Sequence, residues 1–309
     1  MTYSAKDITI IITCYKEGEL LRRALASVTN QTMQGFSVLL INDCSPDTIT
    51  NSICIELART FPLHYIRLER NGGSAMARNM ALKNCSTLLI VPLDGDDELP
   101  KNLVETVLYQ FNKHPKADYL FGDYVVEVPE TNHRSLVSCA ELADETGLLK
   151  GESLARNWCL LGQLPYKRHL WERIGGFNEA FSRTYEDVVF WRDAILADLQ
   201  GIYVNQVLYT WHRSEQGKNA SLDEHAFLPV RIHGLPFYDR FYPEYSLDMR
   251  HYIHRYFAAR LMASELNEFL KLPHENTFTF WQRFKVKLMY ARPIYIMLRR
   301  IANIFRFPK

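Results

Sequence analysis

The chain has no C-x-x-C pair, and its six cysteines (Cys14, Cys44, Cys54, Cys85, Cys139 and Cys159) are scattered through 309 residues. Most stand in apolar, strand-like settings, which speaks against a zinc ribbon or a disulfide framework and fits reduced thiols. The opening MTYSAKDITIII lacks a basic stretch followed by a long apolar run, so no signal peptide is read there. No run of about 18 apolar residues is present, which excludes a spanning helix on hydropathy grounds. The G-x-G-x-x-G of dinucleotide enzymes is missing after the first strand, and there is no repeat or low-complexity segment. Acidic residues are missing from one region, 276–309, which carries eight Lys/Arg (Arg283, Lys285, Lys287, Arg292, Arg299, Arg300, Arg306, Lys309). Because the whole chain has a net charge of only +1, the remainder is acidic. That asymmetry points to a contact made by the tail and away from nucleic-acid binding over the whole surface.

What is present is an ordinary globular composition, 47% apolar and 23% charged, with material for one large or two modest domains. DITIIIT (7–13), FSVLLIND (36–43), LHYIRLE (63–69) and TLLIVPLD (87–94) read as strands. Helices are expected at 18–31, near 48–60, at 74–84 and at 101–114, where apolar residues recur at helical spacing. Four strand–helix alternations imply a parallel sheet with right-handed crossovers. The near-continuous apolar strands imply that both faces are covered. Beyond 115 the rhythm changes: a strand at 118–128, a long polar connection at 129–147, a helix at 186–198, a strand or hairpin at 201–213, and helices from about 222.

Polar residues follow each early strand: Thr13 and Tyr15, Asp43, Asn71 to Ser74, and Asp94 to Asp97. In an open α/β sheet these carboxyl ends form the ligand crevice. The last group, in LDGDDELP, crowds mutually repelling carboxylates. A D-x-D there suits a divalent cation that completes its shell with phosphate and water, while a solvated acidic helix start is the structural alternative. A haloacid-dehalogenase-type nucleophile fits poorly, since its D-x-D sits on the first strand with Thr or Val four places on, where this chain has Glu98.

The segments TCYKEGELLRRALASVTNQT, LLINDCSPD, NGGSAMARNMAL and LDGDDEL occur in this order, followed by RIGGFNEAF (173–181) and YEDVVFWRDA (185–194). Together they resemble the family 2 glycosyltransferases, inverting enzymes of the GT-A fold, of the type that builds bacterial surface polysaccharides. The likeness covers roughly residues 7 to 213. It implies an α/β fold with a mostly parallel sheet flanked by helices, a catalytic domain at 1–221, and a helical C-terminal extension at 222–309. It further implies that Thr13, Tyr15, Glu17, Asp43, Gly72, Gly73, Arg78 and Asp94 border a nucleotide, and that Asp94 and Asp96 hold Mn²⁺ or Mg²⁺. His212 is the expected third ligand and Asp187 the catalytic base. As Asp187 starts a helix, the helix dipole is expected to keep it ionised and only modestly basic. The family often has Pro at the Thr13 position and Asn at the Lys16 position.

The implied reaction moves a sugar, with inversion, from a nucleotide-diphosphate sugar (UDP favoured) to a glycan or lipid-linked acceptor. Rival readings are a nucleotidyltransferase, which would want a glycine-rich loop after the first strand, and a catalytically degenerate glycan-binding module. The tail places Trp281, Phe284 and Leu288, then Ile294, Leu298, Ile301 and Phe305, at helical spacing with arginines largely off the stripe. Such a basic amphipathic segment suits an anionic membrane surface. The expected location is cytoplasmic, peripheral at the inner face of the cell membrane.

Overall fold

The computed structural model describes residues 2–182, 185–214, 224–253 and 256. The chain divides into two compact units, Met1–Ser246 and Leu247–Lys309. The second unit is helical from 247 to 253. The basic tail at 276–309 lies outside the described residues.

The first unit begins with β1 (Ile8–Cys14), α1 (Leu20–Thr29), β2 (Ser37–Asn42), α2 (Thr48–Thr60), β3 (His64–Arg67), α3 (Gly73–Lys83), β4 (Leu89–Asp94) and α4 (Leu103–Lys113). It continues with β5 (Tyr119–Val128), β6 (His133–Val137), α5 (Gly151–Arg156), β7 (Tyr166–Lys167), α6 (Arg168–Arg173), α7 (Glu186–Leu196), β8 (Gly201–His212), α8 (Glu224–His233) and α9 (Leu235–Phe241). The four strand–helix alternations are all present. The helix starts follow local chemistry. Asp47 caps α2 by accepting from the Ile49 and Thr50 amides at 3.1 and 2.9 Å, which satisfies donors that have no partner inside the helix. Leu21, Ala24, Leu25 and Val28 of α1 are buried, the spacing of one helix face.

The strands form one eight-stranded mixed sheet, ordered β3-β2-β1-β4-β7-β5-β6, with β8 paired to β5. The β1–β2, β1–β4, β2–β3 and β5–β8 pairs are parallel, while β7 and β6 run antiparallel to their neighbours. Ile8, Ile10, Ile11 and Ile12 of β1 and Leu89 to Val91 of β4 are buried, as a sheet covered on both faces requires. The edges are short and largely exposed: β3 has four residues and β6 five, which limits edge pairing with other chains.

One expectation needs correction, and one open alternative is decided. The polar connection at 129–147 contains β6, whose pairing with β5 supplies backbone partners that its exposed side chains do not reveal. The segment at 201–213 is one strand rather than a hairpin, carried past a bulge opposite Gly122–Tyr124.

Candidate active site

Register brings the functional residues level. Thr13 pairs with Asp94 and Cys14 with Asn42, so Thr13, Asp43 and Asp94 lie side by side at the carboxyl ends of β1, β2 and β4. Asp43, which is buried, accepts from the amides of Gly72 (2.9 Å) and Gly73 (2.8 Å) and from the Asn71 side chain (3.1 Å). Its carboxylate thereby fastens the loop that leads into α3. Gly73 has φ +80°, and a Cβ there would fall 2.5 Å from the Ser182 carbonyl oxygen, so only glycine fits. Cys44, next to Asp43, and Tyr185, next to the Glu186–Asp187 pair, are both held at positive φ, 54° and 51°. Strain of this kind gathers where tertiary contacts dictate a side chain's aim.

The crowded acidic turn is resolved by sending its carboxylates in different directions. Asp94 Oδ1 accepts from Thr13 Oγ1 (3.0 Å) and Arg78 Nη2 (2.9 Å), and Oδ2 accepts from Gln163 Nε2. Arg78, 6% exposed in its side chain, also reaches Glu186 Oε1 through Nη1 at 2.9 Å, and Ser74 donates to the same oxygen. Burial works against the arginine's charge, but Asp94, Glu186 and Asp187 outweigh it and raise its pKa. Asp97 turns the other way. It accepts from Tyr209 Oη and the His212 amide, each at 2.8 Å, and Glu98 is stitched to Thr210 of β8 by two backbone bonds. Burial, with Asp96 and Asp94 adding, pushes Asp97 up to about 9, so near neutral pH it carries its proton.

Among the described residues, Asp96 is left without an ion pair or a hydrogen bond from another side chain. Burial and the neighbouring Asp94 raise it to about 6, opposed by Arg23. Arg23 pairs with Glu98 at 3.1 Å and donates to the Asp96 carbonyl. Glu17, half-buried, accepts from the Tyr15 amide and is lifted to about 7 by burial and by the charges of Asp96 and Asp94. Lys16 stands 5.2 Å over the Tyr15 ring.

His212 is not gathered with Asp94 and Asp96. Its Nε2 meets Glu98 at 3.0 Å and its Nδ1 lies 3.5 Å from Glu127, because the β5–β8 register sets His212 opposite Glu127. Among the described residues no group of three or more His, Cys, Asp or Glu is placed to hold a metal ion. One free carboxylate beside a saturated one is still what a hard cation needs when phosphate and water supply the remaining oxygens.

Asp187 is more basic than the helix-dipole expectation. Burial, then Glu186, raise it to about 6, opposed by Arg78 and the Val188 amide. Its own carboxylate accepts from the Val188 amide at 2.8 Å. Gly162 packs against it so closely that a Cβ would fall 2.5 Å from Asp187 Oδ2. Four residues along α7, Trp191 Nε1 donates to the Gly162 carbonyl at 3.1 Å. Trp191 is thus scaffold, as is Trp171, which donates to Asn79 Oδ1 at 2.9 Å. Asn79 also clasps the backbone of Phe177, giving 2.8 Å to its carbonyl and receiving 2.9 Å from its amide, which ties the Gly175–Gly176 turn to α3.

Sequence reasoning missed Gln163, Gly162, Asn79 and Tyr209. Gln163 and Gly162 lie in a stretch without periodicity, and Tyr209 looks like any strand aromatic. The pairing of Arg78 with Glu186, 108 positions away, has no local signature.

Solved structures share this open, largely parallel sheet. TarS 1-349 of S. aureus, in complex with UDP-GlcNAc, superposes with a TM-score of 0.60 at 19% identity over 87% of this chain and 77% of that one. The mannosyltransferase PcManGT from Pyrobaculum calidifontis, in complex with GDP-Man and Mn²⁺, gives 0.54 at 17% identity over 92% and 87%. The fold is GT-A. Residues 9–158 match the family described as Glycosyl transferase family 2, and the chain carries a domain of that family. Among curated relatives, the succinoglycan biosynthesis protein ExoW of Rhizobium meliloti is 32% identical over 209 residues, 62% of this chain and 64% of that protein. An uncharacterized glycosyltransferase of Haemophilus influenzae is 25% identical over 189 residues, 59% of this chain. The chain spans less than two thirds of these relatives' length, 64% and 60%.

Proposed function

We propose that the protein is an inverting glycosyltransferase that moves a sugar from a nucleotide-diphosphate sugar, a UDP-sugar in the first instance, to a glycan or lipid-linked acceptor of a bacterial surface polysaccharide. The observation that carries this reading is the division of labour at the D-x-D. Asp94 is saturated by Thr13, Arg78 and Gln163, while Asp96 is raised to about 6 and has no hydrogen bond or ion pair from another side chain among the described residues. A carboxylate held near such a neighbour is relieved by a cation, and Asp96 is the residue that would hold Mn²⁺ or Mg²⁺ together with donor phosphate oxygens. When bound, such an ion offsets the charge that develops on the leaving diphosphate. PcManGT, in complex with GDP-Man and Mn²⁺, and TarS, in complex with UDP-GlcNAc, are precedents for donor and metal within the same fold.

The chain's own residues supply the rest. Thr13, Tyr15, Glu17, Asp43 and the Gly72–Gly73 loop line the nucleotide side. Asp187 takes the acceptor hydroxyl's proton as oxygen attacks the anomeric carbon and the sugar–phosphate bond breaks on the opposite face. A poor nucleophile near pH 7 needs such a base, and a pKa of about 6 leaves Asp187 ionised yet more basic than an exposed aspartate. Arg78, bridging Asp94 and Glu186, holds the two halves of this machinery in step. We assign the basic tail to an anionic membrane surface at the inner face of the cell membrane; among the described residues no helix is long and apolar enough to cross a membrane.

Calorimetric titration with UDP, GDP and dTDP, each with and without Mn²⁺, tests the reading. Metal-dependent binding of one nucleotide, lost in Asp96→Ala, is the expected result. A folded protein that binds none of the three overturns it.

A further inference from the structure

We propose that residues 162 and 163 form a positioning strap that sets the spacing between the donor-side carboxylate Asp94 and the base Asp187. The inference rests on the transferase reading and deepens it. Gln163 Nε2 donates to Asp94 Oδ2 while the other oxygen is taken by Thr13 and Arg78. With both oxygens engaged, Asp94 is prevented from rotating towards Asp96. The donor is a neutral amide, so it orients the carboxylate without cancelling its charge, as a lysine at this point would.

The adjoining residue grips the other side of the crevice. Gly162 presents its bare Cα face to Asp187, 2.5 Å from Oδ2 and 2.6 Å from Cβ for an added methyl. Its carbonyl is held by Trp191, one helical turn further along α7 on the same face. The strap is itself anchored: Leu160 and Leu164 are buried, and the Pro165 carbonyl accepts from the Leu120 amide of β5 at 2.9 Å. Two consecutive residues on a fixed backbone therefore touch both carboxylates. One contact is made through the Gln163 side chain and the other at the Gly162 Cα, so a single backbone segment links the two carboxylates. Positioning errors of about 1 Å at reacting groups are worth about a hundredfold in rate.

The two residues predict opposite kinetic signatures. Gln163→Met keeps the length and removes the donor. Its Kd for UDP or GDP with Mn²⁺ should rise about tenfold. Gly162→Ala should leave that Kd within about twofold and lower the turnover of UDP-N-acetylglucosamine or GDP-mannose, read as nucleotide released with water as acceptor, by about a hundredfold. By pushing Asp187 out of its buried place, it should also move the acid limb of the rate profile below the wild-type position. Trp191→Phe, which frees the Gly162 carbonyl and also loosens the ring cluster with Tyr119, Tyr166 and Phe190, should act in the same direction as Gly162→Ala with a smaller loss of turnover. Variants that leave both Kd and turnover at wild-type values overturn the strap, as do variants that lower both in parallel with the melting temperature. A wild-type protein that binds neither nucleotide removes the transferase reading itself, and the strap with it.

Discussion

The two sides of the crevice are held by opposite means. On the side built from β1 to β4, side chains are fixed by donors: Asp43 by two amides and Asn71, Asp94 by Thr13, Arg78 and Gln163. On the side built from 162 to 187, the key carboxylate has few donors and is fixed by closeness, with Gly162 against its oxygen and Tyr185 in a left-handed turn before it. Donor-rich surroundings favour the charged form of a carboxylate, whereas burial without donors favours its neutral form. Asp187 accordingly rises to about 6.

The largest test of this contrast is Asp187→Asn. Transfer should fall by about 10²- to 10⁴-fold with nucleotide affinity nearly unchanged. A fully active Asn variant would mean that the proton leaves by another route. In the wild type, turnover should drop as pH falls below about 6, because Asp187 works in its ionised form; a rate flat from pH 5 to 8 would contradict that role.

Arg78→Met attacks the link between the sides. It strands Asp94 and Glu186 without their shared cation, and breaking a buried pair from one end costs about 3–5 kcal/mol. The drop should appear in urea unfolding; a loss below about 1 kcal/mol would show that the bridge behaves as a surface pair.

Asp97→Asn probes the β8 side of the acidic turn. Folded Asp97 titrates near 9 and unfolded aspartate near 4, so the folded state binds the extra proton between those values. Wild-type stability should therefore fall as pH rises from about 4 to about 9. The Asn variant, which has nothing to titrate there, should show a shallower slope, visible as urea midpoints that converge with or overtake the wild type towards pH 8. Parallel slopes would mean that the Tyr209 and His212 donors keep Asp97 ionised.

The smallest effect is that of Thr13→Val, which removes one of the three donors on Asp94. About 1 kcal/mol, several-fold in nucleotide affinity, is expected, and no change would mean that Arg78 and Gln163 suffice.

Legibility in the sequence followed the same divide. The β1–β4 side was readable because alternating strands and helices have strong periodic signals and because polar residues at strand ends fall in one crevice. The α2 bounds, 48–60, were read as they stand in the structure. The other side was opaque in its details. β6 hides in polar residues because an edge strand shows its side chains to solvent, and β7 is two residues long, too short for any period. Asp187 was singled out through resemblance, but its raised pKa was missed, since the helix dipole is a local property and burial is not. His212 was grouped with the D-x-D by analogy, whereas strand register aims it at Glu98 and Glu127.

By itself the amino-acid sequence determined the alternating architecture, the crevice at the strand ends and the residue types within it, because these depend on periodicity and on neighbours a few positions apart. Only the tertiary structure decided which carboxylate of the acidic turn is saturated, which is buried against β8 and which, among the described residues, is left without a side-chain partner. Those outcomes depend on Arg78, Gln163 and Tyr209 arriving from distant segments, and a buried carboxylate takes its charge state from whichever donors reach it.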